Sequence, residues 1–192
     1  MKISLIGFMG SGKTSVGHEL STLLNFEFIE MDRIVLERAH YHDMKELFAK
    51  KGEIHLREWE ISLAKEWQKK DNAIISTGGG VVMNKIITDY LKEQNGTVIY
   101  LHAPFAILNA RVVKDNTPRP LFENGQEAYM LYRLRLPLYK KYADMTIRTK
   151  GKNSERIAQE IVLKLYKNQT ADLKDKNLLK ETVEQIMKIR KM

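Results

Sequence analysis

Residues 7–14 read GFMGSGKT. The stretch fits G-x-x-x-x-G-K-[ST], the pattern of a loop that wraps backbone N–H groups around phosphate oxygens. Its neighbours decide the reading. KISLI at 2–6 is a short apolar run of strand character. KTSVGHELSTLL at 13–24 places Val16, Leu20, Leu23 and Leu24 on one side of a helix. Strand, glycine loop and helix in that order are the context in which such a loop holds phosphate. The glycines let N–H groups turn inward, and the helix start adds its positive end. Lys13 supplies a point charge near the β- and γ-phosphates, and Thr14 offers a hydroxyl to Mg²⁺.

Working outward, strand-like and helix-like segments alternate. FEFIE at 26–30, AIIST at 73–77, TVIYLH at 97–102 and DMTIRT at 144–149 read as further strands. Helical spacing covers about 33–50, 53–70, 84–93, 104–114, 126–141 and 154–167. Asp43 followed by Glu46 resembles a capping box, and Pro104 suits a helix's first turn. The alternation predicts an α/β fold of three layers around a mostly parallel sheet. Residues 115–126, DNTPRPLFENGQ, break the pattern with two prolines, a glycine and two asparagines, as a lid or binding loop does. Past residue 168 the chain changes. Leu179, Val183 and Ile186 form a narrow helical stripe, which predicts a peripheral helix and not a core element.

A phosphate loop alone leaves GTPases, ATPases and small-molecule kinases open. No N-K-x-D guanine-reading loop is present, and the third strand ends in TGGG where an ATPase carries an apolar strand ending in Asp. Glu30 and Asp32 stand at the end of the second strand, two residues apart and so facing one way. In a parallel sheet, ligands bind beyond the carboxyl ends of the strands, so both acids face the phosphates. One suits Mg²⁺ through water, the other an acceptor hydroxyl, although Asp32 could also simply cap a helix. Arg57 in GEIHLREWE and Arg135 in RLRLPLY suit a carboxylate gripped by paired donors. Arg119, between two prolines, suits charge developing on a transferred phosphoryl group. The stretch IISTGGGVV at 74–82 predicts a buried strand whose glycine end makes room for an acceptor and whose backbone a Cβ would restrict. His40 and His42 are read as loop histidines and not as a metal pair.

Composition narrows the classes. The chain of 192 residues is 43% hydrophobic and 29% charged, with no cysteine and a net charge of +8. These numbers suit one soluble domain of ordinary size, or one domain with an added element. No run approaches the ~20 apolar residues of a membrane span. The N-terminus reads as a strand and not as a signal peptide, which together with the missing cysteines predicts a cytoplasmic protein. Lysines are scattered along helices with no compact basic block, so nucleic acid is not an expected partner.

In this order, GFMGSGKT, the acidic pair, G-E-x-x-x-R-x-x-E at 52–60, TGGG at 77–80, R-P-L at 119–121 and R-x-x-L-Y at 135–139 resemble the bacterial shikimate kinases. The resemblance covers residues 1–168 and leaves 169–192 as a helical or flexible extension. It implies a nucleoside monophosphate kinase type of fold with a five-stranded parallel sheet. It also implies transfer of the γ-phosphoryl of ATP to the 3-hydroxyl of shikimate, a step toward chorismate and the aromatic amino acids. Gly10, Ser11, Gly12, Lys13, Thr14 and Ser15 are implied to hold ATP phosphates, and Thr14 to bind one Mg²⁺. Asp32 is implied as base and hydroxyl ligand, with Lys13 and Arg119 stabilising the transition state. Arg57 and Arg135 are implied to bind the shikimate carboxylate, Gly79 and Gly80 to offer backbone to substrate, and Arg111 to pack on adenine. Glu60 is implied to orient Arg57. The expected assembly is a monomer with ATP and shikimate as its only partners. Two positions depart from the family: Glu30 stands where Asp is usual, and KGKNSE at 150–155 lacks a common proline. The alternatives are a gluconate or nucleotide kinase, and a non-catalytic ATP-binding partner.

Overall fold

The computed structural model describes residues 1–115, 125–168 and 173–189. Five strands form one parallel sheet: β1 (Lys2–Ile6), β2 (Glu27–Glu30), β3 (Ala73–Ser76), β4 (Gly96–His102) and β5 (Met145–Arg148), in the order β2-β3-β1-β4-β5. The helices are α1 (Lys13–Leu24), α2 (Met31–Ala39), α3 (Met44–Glu66), α4 (Lys85–Lys92), α5 (Phe105–Asp115), α6 (Gly125–Tyr142), α7 (Ser154–Asn168) and α8 (Leu173–Ile189).

Strand periodicity sorts the core into two layers. Ile3, Leu5, Ile74, Ile99 and Leu101 face α1 and α7. Ile6, Ile75, Val98 and Tyr100 face the other way, onto residues of α2, α3, α4 and α6. Every residue of β1 and β3 is buried, as expected of strands covered by helices on both faces. The three-layer α/β architecture expected from the alternation is therefore present, with the five-stranded parallel sheet of the P-loop kinase fold that the resemblance implies.

Two expectations change, and the boundary expected between 50 and 53 is kept as a kink. The helix predicted over 33–50 is broken: His40 takes a left-handed conformation at φ 57° and ends α2. Asp43 then starts α3, its carboxylate accepting from the Glu46 N–H at 2.8 Å, while Glu46 reaches back to the His42 N–H at 3.0 Å. The capping signal was present, and it outweighed the helical spacing that ran through it. Gly52 then turns the backbone inside α3 at φ 76°. Finally, α8 is more than a peripheral helix. It packs on α7 and α1, and its Leu179 and Ile186 are fully buried in the core layer. The predicted lid and Arg119 lie outside the described residues.

At the end of the sheet away from the glycine loop, Lys2 is buried with no exposure at all. Its ammonium donates to the carbonyls of Trp67 (3.0 Å), Gln68 (2.7 Å) and Tyr90 (3.3 Å), where α3 and α4 run out. Three helix-end carbonyls thus share one cation, and those of Trp67 and Tyr90 also accept from the Lys70 and Glu93 N–H groups. Lys2→Met keeps the apolar stem and removes the charged donor from all three. It should lower unfolding free energy by about 2–3 kcal/mol in a denaturant titration, and a change below about 0.5 kcal/mol would show that water serves them equally well.

Candidate active site

The strand order explains why one cleft collects the motifs. β3 lies between β1 and β2, so the glycine stretch after β3 sits between the phosphate loop after β1 and the acids after β2. A cleft of about 330 Å³ opens there, lined by Lys13, Thr14, Glu30, Asp32, Arg57, Glu60, Gly78, Gly79, Gly80 and Arg135. Met9, Met44, Phe48 and Leu56 supply an apolar wall that sequence reading did not single out. Among the described residues, no helix is long and apolar enough to cross a membrane.

In the phosphate loop, Gly10 and Gly12 take φ of 74° and 92°, a region open to few other residues. A Cβ on Gly10 would also press to 2.8 Å from the Leu108 carbonyl. Lys13 lies back over the loop, its ammonium donating to the Gly7 carbonyl at 2.9 Å. Ser11 is buried, and its hydroxyl has no hydrogen-bond partner among the described residues. The Thr14 hydroxyl donates to Glu30 at 2.5 Å, which orients its lone pairs outward from that carboxylate. The Ser15 side chain does not line the cleft. Nor does Arg111: its guanidinium donates to the Gly10 carbonyl at 3.2 Å and to Thr149, tying α5 to the loop.

Glu30 and Asp32 both reach the cleft, but not as strand neighbours. β2 ends at Glu30, and Asp32 sits in the first turn of α2, where the helix dipole favours its charge. Asp32 is therefore a helical residue, and its approach to the cleft does not follow the twofold period of a strand. Glu30 occupies the N-cap position without making a side-chain cap.

The opposite wall holds the arginines. Arg57 donates to Glu60 at 2.5 Å and also to Glu53. Arg135 from α6 comes within 4.0 Å of the same Glu53 carboxylate and is almost fully buried. Two guanidinium groups thus converge on one carboxylate oxygen, the geometry of an anion grip. Burial pulls the Arg135 guanidinium below its ordinary pKa.

The structure reassigns the glycines. None of Gly78, Gly79 and Gly80 has a left-handed φ, so backbone strain is not the reason for them. A Cβ on Gly78 would stand 2.5 Å from Glu60 and 2.8 Å from Asp32; one on Gly80 would stand 2.0 Å from Arg57. These two glycines make room for the protein's own charged groups. Only Gly79 leaves ordinary contact distance, with its nearest neighbour at 3.7 Å.

Glu60 has no solvent exposure, and one of its oxygens lacks a hydrogen-bond partner among the described residues. Burial raises its pKa from the usual 4.5 to about 7, against the pull of Arg57, and the Asp32 charge pushes it further up. The folded state therefore binds this proton more tightly than the unfolded chain does. Its contribution to stability is complete below pH 4.5 and is lost as pH rises through 7. Glu60→Gln should flatten the pH dependence of stability across that window in thermal melts; an unchanged slope would assign the dependence to other groups.

Comparison with known proteins bears on this cleft. A shikimate kinase family model matches residues 9–166. The shikimate kinase of Aquifex aeolicus is 38% identical over 170 residues, spanning 88% of this chain and 98% of that relative. The shikimate kinase of Thermodesulfovibrio yellowstonii is 39% identical over 163 residues, 83% of this chain and 92% of its own length. Among solved structures, a shikimate kinase from Acinetobacter baumannii in complex with shikimate superposes with a TM-score of 0.81 at 32% identity, covering 88% of this chain and 94% of that one. The matched region takes in the phosphate loop from Met9, the acids, the glycines and both arginines, so fold, cleft and kinship agree: the chain belongs to the shikimate kinase family.

Proposed function

We propose that this protein phosphorylates the 3-hydroxyl of shikimate with ATP, giving shikimate 3-phosphate and ADP on the route to chorismate and the aromatic amino acids. The observation that carries the reading is the single cleft shared by a phosphate loop and a two-arginine grip, with a carboxylate between them. Shikimate is a carboxylated ring with hydroxyls across from its carboxylate, and it matches that polarity end to end.

In this reading Arg57 and Arg135 bind the carboxylate and fix the ring's orientation. Gly79 and Gly80 lend backbone at the ring's edge. Asp32 accepts a hydrogen bond from the 3-hydroxyl. As the 3-oxygen bonds to the γ-phosphorus, the bond from that phosphorus to the β–γ bridging oxygen breaks, and Asp32 takes up the hydroxyl proton. Gly10, Ser11, Gly12 and Ser15 contribute loop and helix-start donors to the phosphates. Lys13 swings from the Gly7 carbonyl to charge building on the transferred group. Arg111 borders the adenine side and Arg119 closes over the phosphates.

The oxygen-only donor set of Thr14 and Glu30 fits Mg²⁺, which avoids nitrogen and keeps several waters. Thr14 would hold the ion through its hydroxyl oxygen, and Glu30 would do so through water. The ion supplies charge neutralisation on the β- and γ-phosphates. We further assign residues 1–168 as the kinase domain and 169–192 as a C-terminal extension that contributes α8, in a cytoplasmic monomer that engages neither nucleic acid nor membrane.

Product analysis tests the acceptor. ³¹P NMR of the protein with Mg-ATP and shikimate should show a new phosphomonoester and ADP, with no new phosphomonoester from gluconate and no diphosphate made from a nucleoside monophosphate. A phosphomonoester from gluconate, or a nucleoside diphosphate made from a nucleoside monophosphate, with shikimate unreacted, would overturn the assignment.

A further inference from the structure

The motif R-x-x-L-Y contributes more than Arg135. Arg135 and Tyr139 stand four positions apart on α6 and so share a face. Both address the same glycine. Nη1 of Arg135 lies 3.9 Å from where a Cβ on Gly79 would stand, and the Tyr139 hydroxyl donates to the Gly79 carbonyl at 2.5 Å. Tyr139 has no solvent exposure, and its ring stacks on Tyr100 with centroids 5.0 Å apart and planes 13° from parallel. Burial holds its phenol well above the ordinary pKa, so it remains a donor throughout the working range.

Peptide geometry makes this bond directional. In a trans peptide the carbonyl of one residue and the N–H of the next point opposite ways, and no peptide among the described residues is cis. A hydroxyl that holds the Gly79 carbonyl toward the core therefore turns the Gly80 N–H away from it, to the cleft side that Gly79 and Gly80 line. Glycine has no side chain to set that plane by packing, so an outside contact must set it. The stacked Tyr100 ring fixes where the hydroxyl sits.

We propose that Tyr139 is a positioning residue for the acceptor: it locks the Gly79–Gly80 peptide plane and keeps it in register with Arg135 one helical turn away. This inference rests on the shikimate reading of the cleft. It makes α6 the element that carries both the carboxylate grip and the clamp on the backbone donor. The phosphate loop also borders Gly79, with the Gly7 carbonyl 3.7 Å and the Met9 nitrogen 3.8 Å from where its Cβ would stand, but the shape of residues 7–14 is held by contacts of its own, such as Lys13 to Gly7 and Arg111 to Gly10.

The test uses the full chain with Tyr139→Phe, which keeps the stacked ring and removes the hydroxyl. Tyr132→Phe is the control. Tyr132 is on the same helix and nearly buried, and it donates to the Ala103 carbonyl at 3.3 Å without touching the glycines. Both variants should lose stability, since each leaves a buried carbonyl unpaired. Only Tyr139→Phe should raise the shikimate KM, roughly five- to tenfold, the worth of one hydrogen bond, with the Mg-ATP KM within about twofold of the parent. Equal KM values for Tyr139→Phe and Tyr132→Phe, or a parallel rise in both KM values, would overturn the proposal. A parent protein without shikimate-dependent turnover would overturn the acceptor assignment itself, and this inference with it.

Discussion

Asp32→Asn should lower kcat by roughly two to four orders of magnitude while leaving Mg-ATP binding essentially intact. Asp32 lines the cleft from the first turn of α2, on the acceptor side of the phosphate loop. Asparagine preserves shape and can still hydrogen-bond a hydroxyl, but it cannot take up the proton released when the 3-oxygen attacks. The start of α2 favours the charged form of Asp32, and Glu60, whose pKa burial raises to about 7, adds little competing charge below that pH. Steady-state kinetics with a fluorescent ATP analogue as binding control separates the two effects. Turnover within about tenfold of the parent would remove Asp32 from the proton path.

Arg135→Ala should raise the shikimate KM by roughly thirty- to hundredfold, the scale of a lost charge-assisted hydrogen bond in a desolvated site, with little change in the ATP KM. Arg135 is 2% exposed, so its guanidinium meets the carboxylate away from competing water. Arg135→Lys keeps the charge but loses the planar fork, and it should recover only part of the affinity. Far-ultraviolet dichroism and a thermal melt check that α6 survives. A defect confined to ATP would place Arg135 on the phosphate side and break the assignment of the two ends of the cleft.

Much of this arrangement was legible in the sequence because its signals are local. The strand–loop–helix reading of 2–24 needed only glycine spacing and periodicity. Glu30, Asp32, Arg57 and Arg135 stood in short motifs, and the parallel topology gathers them at one end of the sheet. What was not legible depends on contacts between distant segments. Gly78 and Gly80 read as room for a substrate, whereas Glu60, Asp32 and Arg57, folded in from elsewhere, occupy that room. The stripe on 179–186 looked too narrow for a core element, but α1 and α7 present matching apolar surface to it. Tyr139 carried no chemical signal of its own, since its partner is a backbone carbonyl sixty residues away. The break at His40 was obscured because apolar spacing continues through it.

The central claim is that one cleft joins phosphate donor and carboxylated acceptor. Coupled release of ADP measures it most directly: purified protein, Mg-ATP, and shikimate present or absent. The account predicts ADP release that saturates with shikimate, is near zero without it, and is not restored by gluconate. ADP release independent of shikimate, or none under either condition, would contradict it.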